Sequence, residues 1–213
     1  MKGVPLNEEL YDYILNTFVE EDEILKSVVR KTAEKDFPLI QISPELGKFL
    51  QMLIIMIRAK TVLEIGTLAG YSAIWMARGL PENGKLITLE ADKEHARISR
   101  EHFKKAGLDN KVQLIEGDAV VSLDTLSNVK FDFAFIDADK VNYPVYFDKV
   151  IKIMNHGGIM TVDNALRKGD IISKTPDAEV RATRLLNEKM AKDVRLVSLL
   201  IPISDGLALG VVK

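Results

Sequence analysis

The sequence predicts an α/β fold built on a mostly parallel sheet with helices on both faces, and three patterns lead to this prediction. From residue 61 onward, short apolar runs alternate with helical segments, as in a series of βαβ units. The run Phe131–Ile136 is rich in Phe, Ala and Ile, which favours a strand buried on both faces of a parallel sheet. Two later apolar runs are joined by the short turn at residues 204–206, so those two strands must run antiparallel to each other.

Composition limits what such a fold can do in this chain. The 213 residues are 47% hydrophobic and 28% charged, which is typical of one soluble globular domain with a sizeable core. A formal net charge of -2 and a pI of about 6.0 argue against general binding to nucleic acid or to an anionic membrane surface. Cysteine is absent, which excludes disulfides, thiolate catalysis and cysteine metal sites. The N-terminus lacks signal-peptide character and the apolar stretches are too short to span a bilayer, so we expect a cytoplasmic protein.

Helical patterns precede the first strand. Apolar residues recur at mostly helical spacing over residues 6–35, which predicts one or two amphipathic helices packed on the sheet or on a second subunit. A further helix should begin at Ser43 as N-cap, with Pro44 in its first position and Glu45 in its first turn.

The core elements follow in order. We expect residues 1–58 to form a helical part and residues 61–213 the α/β core of a single domain. Five parallel strands are predicted at residues 61–65, 85–89, 112–115, 131–136 and 158–162. Helical spacing predicts helices at residues 70–78, 92–105, 119–126, 143–154 and 178–191. The antiparallel pair is predicted at residues 195–201 and 207–212.

The first strand ends in a glycine-bearing turn, GTLAG at residues 66–70. Gly66 lets the backbone bend and a ligand approach, and Gly70 lets the next helix begin close to the strand. Leu68 breaks the G-x-G-x-x-G dinucleotide pattern, and Glu64 just before the turn would repel phosphate and attract a cation. Both features count against a nicotinamide cofactor. A tight turn with a partly buried glutamate is the plainer alternative.

Acidic residues also follow the next two strands. Glu90 stands where an acidic side chain can accept hydrogen bonds from both ribose hydroxyls of a nucleoside. Asp92 has the position of a helix N-cap, and Asp118 is expected either to cap the next helix or to meet an adenine amino group. Acids after three successive strands suit an adenosine-containing cofactor without phosphates, and S-adenosylmethionine has this chemistry.

A series of motifs then resembles one family: VLEIGTLAGYSA, TLEAD, EGDA, FIDADKVNY, GGIMTVDN and PISDGLAL. Their order is similar to that in the small cation-dependent O-methyltransferases, the group of catechol O-methyltransferase and caffeoyl-CoA O-methyltransferase. The resemblance covers residues 41–212. It implies a Rossmann-like class I methyltransferase fold, with a seven-stranded sheet whose last strand is antiparallel, and it implies a homodimer.

The resemblance also implies a site. Asp137, Asp163 and Asn164 match the metal ligands of the family, and their three oxygen donors suit Mg²⁺, with Ca²⁺ or Mn²⁺ able to substitute. Lys140 matches the catalytic lysine, which would act as a base. The role of Asp139 is left open: it could hold Lys140, cap the next helix or touch the cofactor. Contacts to S-adenosylmethionine are implied at Ile42, Glu64, Gly66, Thr67, Ser72, Glu90, Asp118, Ala119 and Asp137.

Other conspicuous residues have plainer interpretations. Three residues are interpreted as core filling: Trp75, Met52 and Met56. None of the three histidines is expected to lie near the carboxyl end of a strand or to bind metal: His95, His102 and His156.

One stretch departs from the plant members of the family. They carry tryptophan shortly after the Asp-Asn pair, whereas this sequence has Arg167 and Lys168. Two cations in place of an aromatic wall weaken any transfer of the caffeoyl-CoA preference. They allow an anionic substrate or an RNA nucleotide.

The sequence therefore predicts a methyltransferase, dependent on S-adenosylmethionine and a divalent metal, that acts on one hydroxyl of a small vicinal dihydroxy aromatic. Methylation of a tRNA hydroxyuridine is the first alternative. The acidic pI opposes it, and a local basic patch would support it: Arg167, Lys168, Lys174, Arg181 and Arg184. The second alternative is a non-catalytic regulatory protein that binds S-adenosylmethionine, which should have lost the metal ligands or the lysine. A nicotinamide dehydrogenase is opposed by Leu68.

Overall fold

A computed structural model of the protein describes residues 6–213, and a seven-stranded sheet forms its centre. The strands are β1 (Thr61–Ile65), β2 (Lys85–Glu90), β3 (Val112–Glu116), β4 (Phe131–Ile136), β5 (Met154–Val162), β6 (Leu196–Ile201) and β7 (Leu207–Val212). Their order across the sheet is β3-β2-β1-β4-β5-β7-β6. The first five pair in parallel, whereas β7 runs antiparallel to both of its neighbours. The predicted sheet, with its last strand antiparallel, is confirmed.

Helices flank or connect these strands. They are α1 (Glu8–Phe18), α2 (Glu23–Glu34), α3 (Pro44–Met56), α4 (Tyr71–Gly79), α5 (Lys93–Lys105), α6 (Ala119–Thr125), α7 (Tyr143–Ile153) and α8 (Ala178–Lys192). Short 3-10 segments follow β4 and β5, at Lys140–Asn142 and Arg167–Ile172. Within residues 6–213, every helix is too short or too polar to span a bilayer.

The helices cover both faces of the sheet, as β4 illustrates. Phe133 and Phe135 belong to a core shared with α2, α3 and α4, while Ala134 and Ile136 belong to a second core shared with α6, α7 and α8. Alternate side chains of a strand point to opposite faces. All four residues are fully buried, so β4 is covered on both sides, as its apolar composition predicts.

The N-terminal helices share the first of these cores with the sheet. Leu25 of α2 and Leu50 of α3 lie in the same hydrophobic cluster as Val62 of β1. That residues 1–213 form a single domain, with residues 1–58 as its helical part, stays a prediction. Residues 1–5 lie outside the described part of the chain.

Most element boundaries lie close to the predicted ones, but β5 begins earlier than expected. It spans Met154–Val162, whereas the apolar pattern predicts residues 158–162. The pairing shifts inside this extension, because Phe131 pairs with Met154 and Phe133 pairs with Ile159. Gly157, in between, has a φ of 79°, in the region that favours glycine. The polar and glycine residues of this irregular stretch conceal the start of the strand from an apolar pattern.

Helix α3 starts at the predicted position, but the predicted N-cap Ser43 does not form a capping hydrogen bond to a described amide. Ser43 is the N-cap residue, yet its hydroxyl donates to Glu45 Oε1 at 2.6 Å and makes no capping bond to a described backbone amide. The helix therefore begins with proline at its first turn and without a side-chain cap.

The core-filling interpretation holds for one residue and fails for two. Trp75 is 2% exposed and is confirmed as a core residue. The interpretation is wrong for Met52 and Met56, which are 48% and 72% exposed. Both lie two positions from buried residues of α3, Leu50 and Ile54, and a shift of two positions points a side chain to the opposite side of a helix.

Candidate active site

A cavity of about 610 Å³ opens at the carboxyl edge of the parallel strands. One residue at or just after the end of each of β1 to β5 lines it: Gly66, Glu90, Asp118, Asp137 and Asn164. Strands β1 and β4 are neighbours in the middle of the sheet, although β2 and β3 separate them along the chain. Ligands of open α/β sheets bind where the strand order reverses in this way. The cavity therefore has the position expected of a ligand site.

The turn after β1 packs directly on the end of β4. Gly66 has a φ of 98°, and a Cβ atom at this position would lie 2.1 Å from the carbonyl oxygen of Asp137. Leu68, in the same turn, has a φ of 50°. A non-glycine residue in the left-handed region is strained and persists only where its surroundings hold it.

Glu90 holds this turn. Its Oε2 accepts hydrogen bonds from the amides of Thr67 (3.1 Å) and Leu68 (2.8 Å), and its Oε1 accepts one from the amide of Asp92 (2.9 Å). An ionised carboxylate has about four acceptor positions, so three amides leave about one for a ligand. Because Glu90 also lines the cavity, the open position suits the hydroxyl groups of a bound sugar.

Glu64 lies beneath the cavity and not on its wall. It is fully buried, and it accepts hydrogen bonds from Ser72 Oγ and Thr88 Oγ1, both at 2.5 Å. Burial raises the pKa of this carboxyl to about 8, against the opposing effect of the two hydroxyls. A carboxyl with a raised pKa attracts a cation less than an ionised one does, and a contact between Glu64 and the cofactor stays a prediction. Ser72, which does line the cavity, links Glu64 to it.

Lys140 and Asp137 form an ion pair on the cavity wall. Lys140 Nζ lies 2.6 Å from Asp137 Oδ1, and the two side chains are 14% and 18% exposed. Asp139, which the sequence left open, does not hold this lysine. It accepts hydrogen bonds from Tyr146 Oη and from Asn142 Nδ2 instead. Asp137 therefore fixes the position of the amine.

Asp163 follows β5 and is 3% exposed. Its amide donates to Ile136 O (3.1 Å), which ties the end of β5 to the end of β4, and its carbonyl oxygen accepts a bond from Tyr143 Oη (3.1 Å). Burial and the negative charge of Asp137 raise the pKa of the Asp163 carboxyl to about 7. Its Oδ1 is buried and has no hydrogen-bond partner within residues 6–213. A buried carboxylate oxygen without a donor is costly unless something else binds it.

These residues fit a divalent cation. The carboxylates of Asp137 and Asp163 follow neighbouring strands, and Asn164, whose side chain carries an amide oxygen, comes next and lines the cavity. Oxygen donors of this kind are the ones that Mg²⁺ prefers. Among the described residues, no three His, Cys, Asp or Glu side chains cluster in a way that could hold a metal, so a metal here would need the amide of Asn164 and ligands from outside the chain as well.

The loop at residues 163–169 is strained and firmly held. Asn164, Arg167 and Lys168 have φ values of 54°, 51° and 53°. The turn between β6 and β7 holds the loop, because Asp205 O accepts from the amide of Leu166 (2.9 Å) and Asp205 Oδ1 accepts from the amide of Lys168 (2.5 Å). An ion pair between Arg167 and Glu179 joins the loop to α8. The conformation is thus held by two separate parts of the chain, the turn between β6 and β7 and helix α8.

Comparison with known proteins agrees with this geometry. Residues 15–213 match a family model described as O-methyltransferase. The chain belongs to the O-methyltransferase family. This O-methyltransferase is 36% identical to the catechol O-methyltransferase of Niastella koreensis, over 98% of this chain and 100% of that protein. It is 35% identical to a probable caffeoyl-CoA O-methyltransferase of Arabidopsis thaliana, over 98% of this chain and 95% of that protein.

A solved structure extends the comparison to three dimensions. The O-methyltransferase from Bacillus cereus, in complex with SAH, has a TM-score of 0.90 and is 36% identical, covering 95% of this chain and 96% of that chain. The predicted family, the class I methyltransferase fold and the predicted enzyme class are therefore confirmed.

The cavity gathers most of the residues implied by the resemblance. Ten of them line it: Ile42, Gly66, Thr67, Ser72, Glu90, Asp118, Ala119, Asp137, Lys140 and Asn164. Two lie just behind the wall, Glu64 and Asp163. Asp118 also caps α6, since its Oδ1 accepts from the amide of Val121 (3.1 Å), so capping does not exclude a ligand contact.

Sequence reasoning missed several residues of the wall. His95 lines the cavity with its Nδ1 3.6 Å from Glu90 Oε1, so the expectation that it lies away from a strand end is wrong. Asp92 caps α5 as predicted, and this cap places His95 in the first turn beside the end of β2, a signal that the sequence contained. Val28 and Thr32 of α2 also line the cavity, and no motif marked them.

Proposed function

We propose that this O-methyltransferase uses S-adenosylmethionine to methylate one hydroxyl of a catechol-type small molecule, with a divalent metal ion bound at the acceptor end of the cavity. One observation carries the proposal. The ion pair of Lys140 Nζ and Asp137 Oδ1, 2.6 Å apart, lies next to Asp163. Oδ1 of Asp163 is buried and has no hydrogen-bond partner within residues 6–213. A base and an oxygen-donor set in one place are what deprotonation of a vicinal diol requires.

The cofactor end of the cavity supports a nucleoside ligand. Glu90 has an acceptor position left for ribose hydroxyls, and Gly66, Asp118 and Ile42 lie on the same wall. The relative from Bacillus cereus was solved in complex with SAH. We assign the corresponding end of this cavity to S-adenosylmethionine.

Residues of this chain would position the metal and the acceptor, and one of them would take the proton of the acceptor hydroxyl. When bound, S-adenosylmethionine would supply a methyl group on a positive sulfonium, and Mg²⁺ would favour the ionised form of the acceptor hydroxyls. Asp137, Asp163 and Asn164 would hold the metal. Lys140, fixed through Asp137, is placed to accept the hydroxyl proton at Nζ when its amine is neutral. Holding acceptor and methyl group together contributes about 7 to 11 kcal/mol in favourable cases.

Metal removal tests the proposal directly. Methyl transfer from labelled S-adenosylmethionine to catechol should stop in excess EDTA and return when Mg²⁺ is restored. Asp163→Ala should lose turnover and Mg²⁺ binding by calorimetry, while the exposed control Asp109→Ala keeps both. Full activity in EDTA would contradict the metal requirement, and absence of transfer to any catechol would contradict the acceptor class.

Transfer to a tRNA hydroxyuridine stays an alternative prediction. Of the basic residues that the sequence pointed to, Arg167 pairs with Glu179, and Arg181 and Arg184 donate to backbone carbonyls at Pro176 and Ile171. These contacts reduce the number of free donors for phosphates. Salt-dependent binding of unmodified tRNA, measured by filter retention, would favour the alternative.

Assembly and location are further proposals. We propose a homodimer, because α1 and α3 carry large exposed apolar side chains: Leu10, Tyr13, Phe18, Met52, Ile55 and Met56. Light scattering on the purified protein tests this. A cytoplasmic location also stays a prediction.

A further inference from the structure

Two cations from the loop at residues 163–169 line the cavity, at the end that carries Asn164. Arg167 and Lys168 both have φ values in the left-handed region, 51° and 53°. Strain of this kind persists where surrounding structure over-determines it, and it clusters at functional sites. Asp205 and Glu179 supply that restraint. The fold therefore holds a strained loop in the conformation that places both cations on the cavity wall.

The acidic side chains of this wall already accept hydrogen bonds, whereas the two basic side chains have N–H groups without a partner within residues 6–213. Asp137 accepts from Lys140, Asp139 from Tyr146, and Asp205 from the amide of Lys168. Glu179 is paired with Nη2 of Arg167.

The spare donors belong to Arg167 and Lys168. Within residues 6–213, Nε and Nη1 of Arg167 have no hydrogen-bond partner, and Nε is buried. The ammonium of Lys168 likewise forms no ion pair with a described residue. A buried charged donor without a partner is costly, and an anion from outside the chain would relieve that cost.

We propose that the acceptor of this enzyme carries a carboxylate, which Arg167 binds with Lys168 beside it. This inference rests on the proposed function and specifies its substrate class as phenolic acids with vicinal hydroxyls. A guanidinium binds carboxylates through several N–H groups at once, so Arg167 can hold Glu179 at one nitrogen and a ligand at the others. Arg167 follows Asn164 by three residues, which spans at most about 10 Å. That distance suits a single ring with its hydroxyls at Asn164 and a short acidic side chain at Arg167.

Three catechols of similar size and different charge test the proposal. They are 3-(3,4-dihydroxyphenyl)propionate, which is anionic, 4-ethylcatechol, which is neutral, and dopamine, which is cationic. We expect kcat/KM to be about tenfold or more higher for the anion than for the neutral compound, and lowest for the cation. Calorimetry of the same compounds, with S-adenosylhomocysteine and Mg²⁺ present, should rank their affinities in the same order without any turnover.

Variants assign the preference to a side chain. Arg167→Gln should lower the anionic-to-neutral ratio of kcat/KM about tenfold or more. Glu179→Gln keeps the arginine and removes the negative charge that competes for it, so the ratio should rise. Arg181→Gln removes a nearby arginine that donates to Pro176 O and is not on the cavity wall, so the ratio should stay at the wild-type value.

The possible outcomes separate this inference from the proposed function. Methylation of all three catechols with similar kcat/KM, unaffected by Arg167→Gln and Glu179→Gln, overturns the carboxylate inference alone. Methylation of none of them overturns both. If Arg167→Gln does not fold, a ratio unchanged in Glu179→Gln is sufficient to overturn the inference.

Discussion

Lys140 could serve the reaction as a base or merely as a positive charge, and substitutions can separate these roles. Lys140→Ala should lower the single-turnover methylation rate about 10²-fold or more, the usual scale for loss of a general base. A higher pH should restore part of this rate, because solvent hydroxide can then take the proton. Lys140→Arg should rescue poorly, since a guanidinium keeps its charge but is not deprotonated in proteins.

The measurement is a pH-rate profile of the wild type and both variants, with the exposed Lys152→Ala as control. Retention of a near-native rate by Lys140→Arg at neutral pH would show that Lys140 acts only through its charge.

Glu64 should make stability depend on pH. Its carboxyl has a usual pKa of 4.5, and burial raises the pKa to about 8 in the folded protein. Below pH 4.5 the group is protonated in both states. As the pH rises from there to about 8, the unfolded chain releases this proton while the folded chain retains it, so the folded state loses stability.

Glu64→Gln removes this dependence. The stability of the variant relative to that of the wild type, measured as the difference in free energy of unfolding, should therefore increase from pH 5 to pH 8. Urea unfolding at both pH values measures the change. An equal difference between the two proteins at pH 5 and pH 8 contradicts the assignment of a raised pKa to Glu64.

At the scale of elements, the turn after β1 packs so tightly on the end of β4 that no side chain fits between Gly66 and Asp137. Gly66→Ala would place a methyl group 2.1 Å from the carbonyl oxygen of Asp137, at a φ of 98° that alanine avoids. We expect a loss of about 2 kcal/mol or more in stability and a weaker affinity for S-adenosylhomocysteine, because the turn must move away from Asp137.

Gly107 provides the matched control. It also has a positive φ, 66°, but within the described residues nothing lies within 4 Å of an added Cβ. Gly107→Ala should therefore cost less stability and leave the affinity unchanged. Equal effects of the two substitutions in calorimetry and thermal unfolding would mean that backbone strain, and not the contact with Asp137, matters at Gly66.

The elements also show why part of the site was predictable. Acids at successive strand ends reach one cavity because parallel strands end at the same edge of a sheet, and Glu90 and Asp137 lie there as expected. The start of β5 was not predictable, because residues 155–158, which follow its first residue Met154, are polar or glycine. The exposure of Met56 was not predictable either, since α3 is apolar on most of its surface and its pattern does not say which side meets the core.

At the scale of the whole molecule, the cavity joins parts of the chain that are far apart in sequence. Val28 and Thr32 of α2 and residues 40–42 line it together with the strand ends of the sheet. Of these N-terminal residues only Ile42 was predicted, because a position in α2 such as Val28 looks the same in sequence whether it faces a core or a ligand. Asp205, from the turn between β6 and β7, lines the cavity from the other side.

Ligand binding should therefore tie the N-terminal segments to the sheet. Addition of S-adenosylhomocysteine should slow amide hydrogen exchange in α2 and in residues 38–42, because binding to the folded state suppresses local opening. Strand β6, which contributes nothing to the described wall, serves as the internal control. Protection confined to the strand ends, with α2 unchanged, would separate the N-terminal helices from the ligand site.

The position of β7 makes the loop at residues 163–169 depend on a strand that is synthesised after β6. This strand follows β6 along the chain but inserts between β5 and β6, so β5 has an unpaired edge until β7 arrives. The turn that leads into β7 contains Asp205, which holds the amides of Leu166 and Lys168 in place. A chain in which β7 has not yet paired with β5 thus lacks the restraint that Asp205 places on residues 163–169, so this loop reaches its described conformation only once β7 is in place.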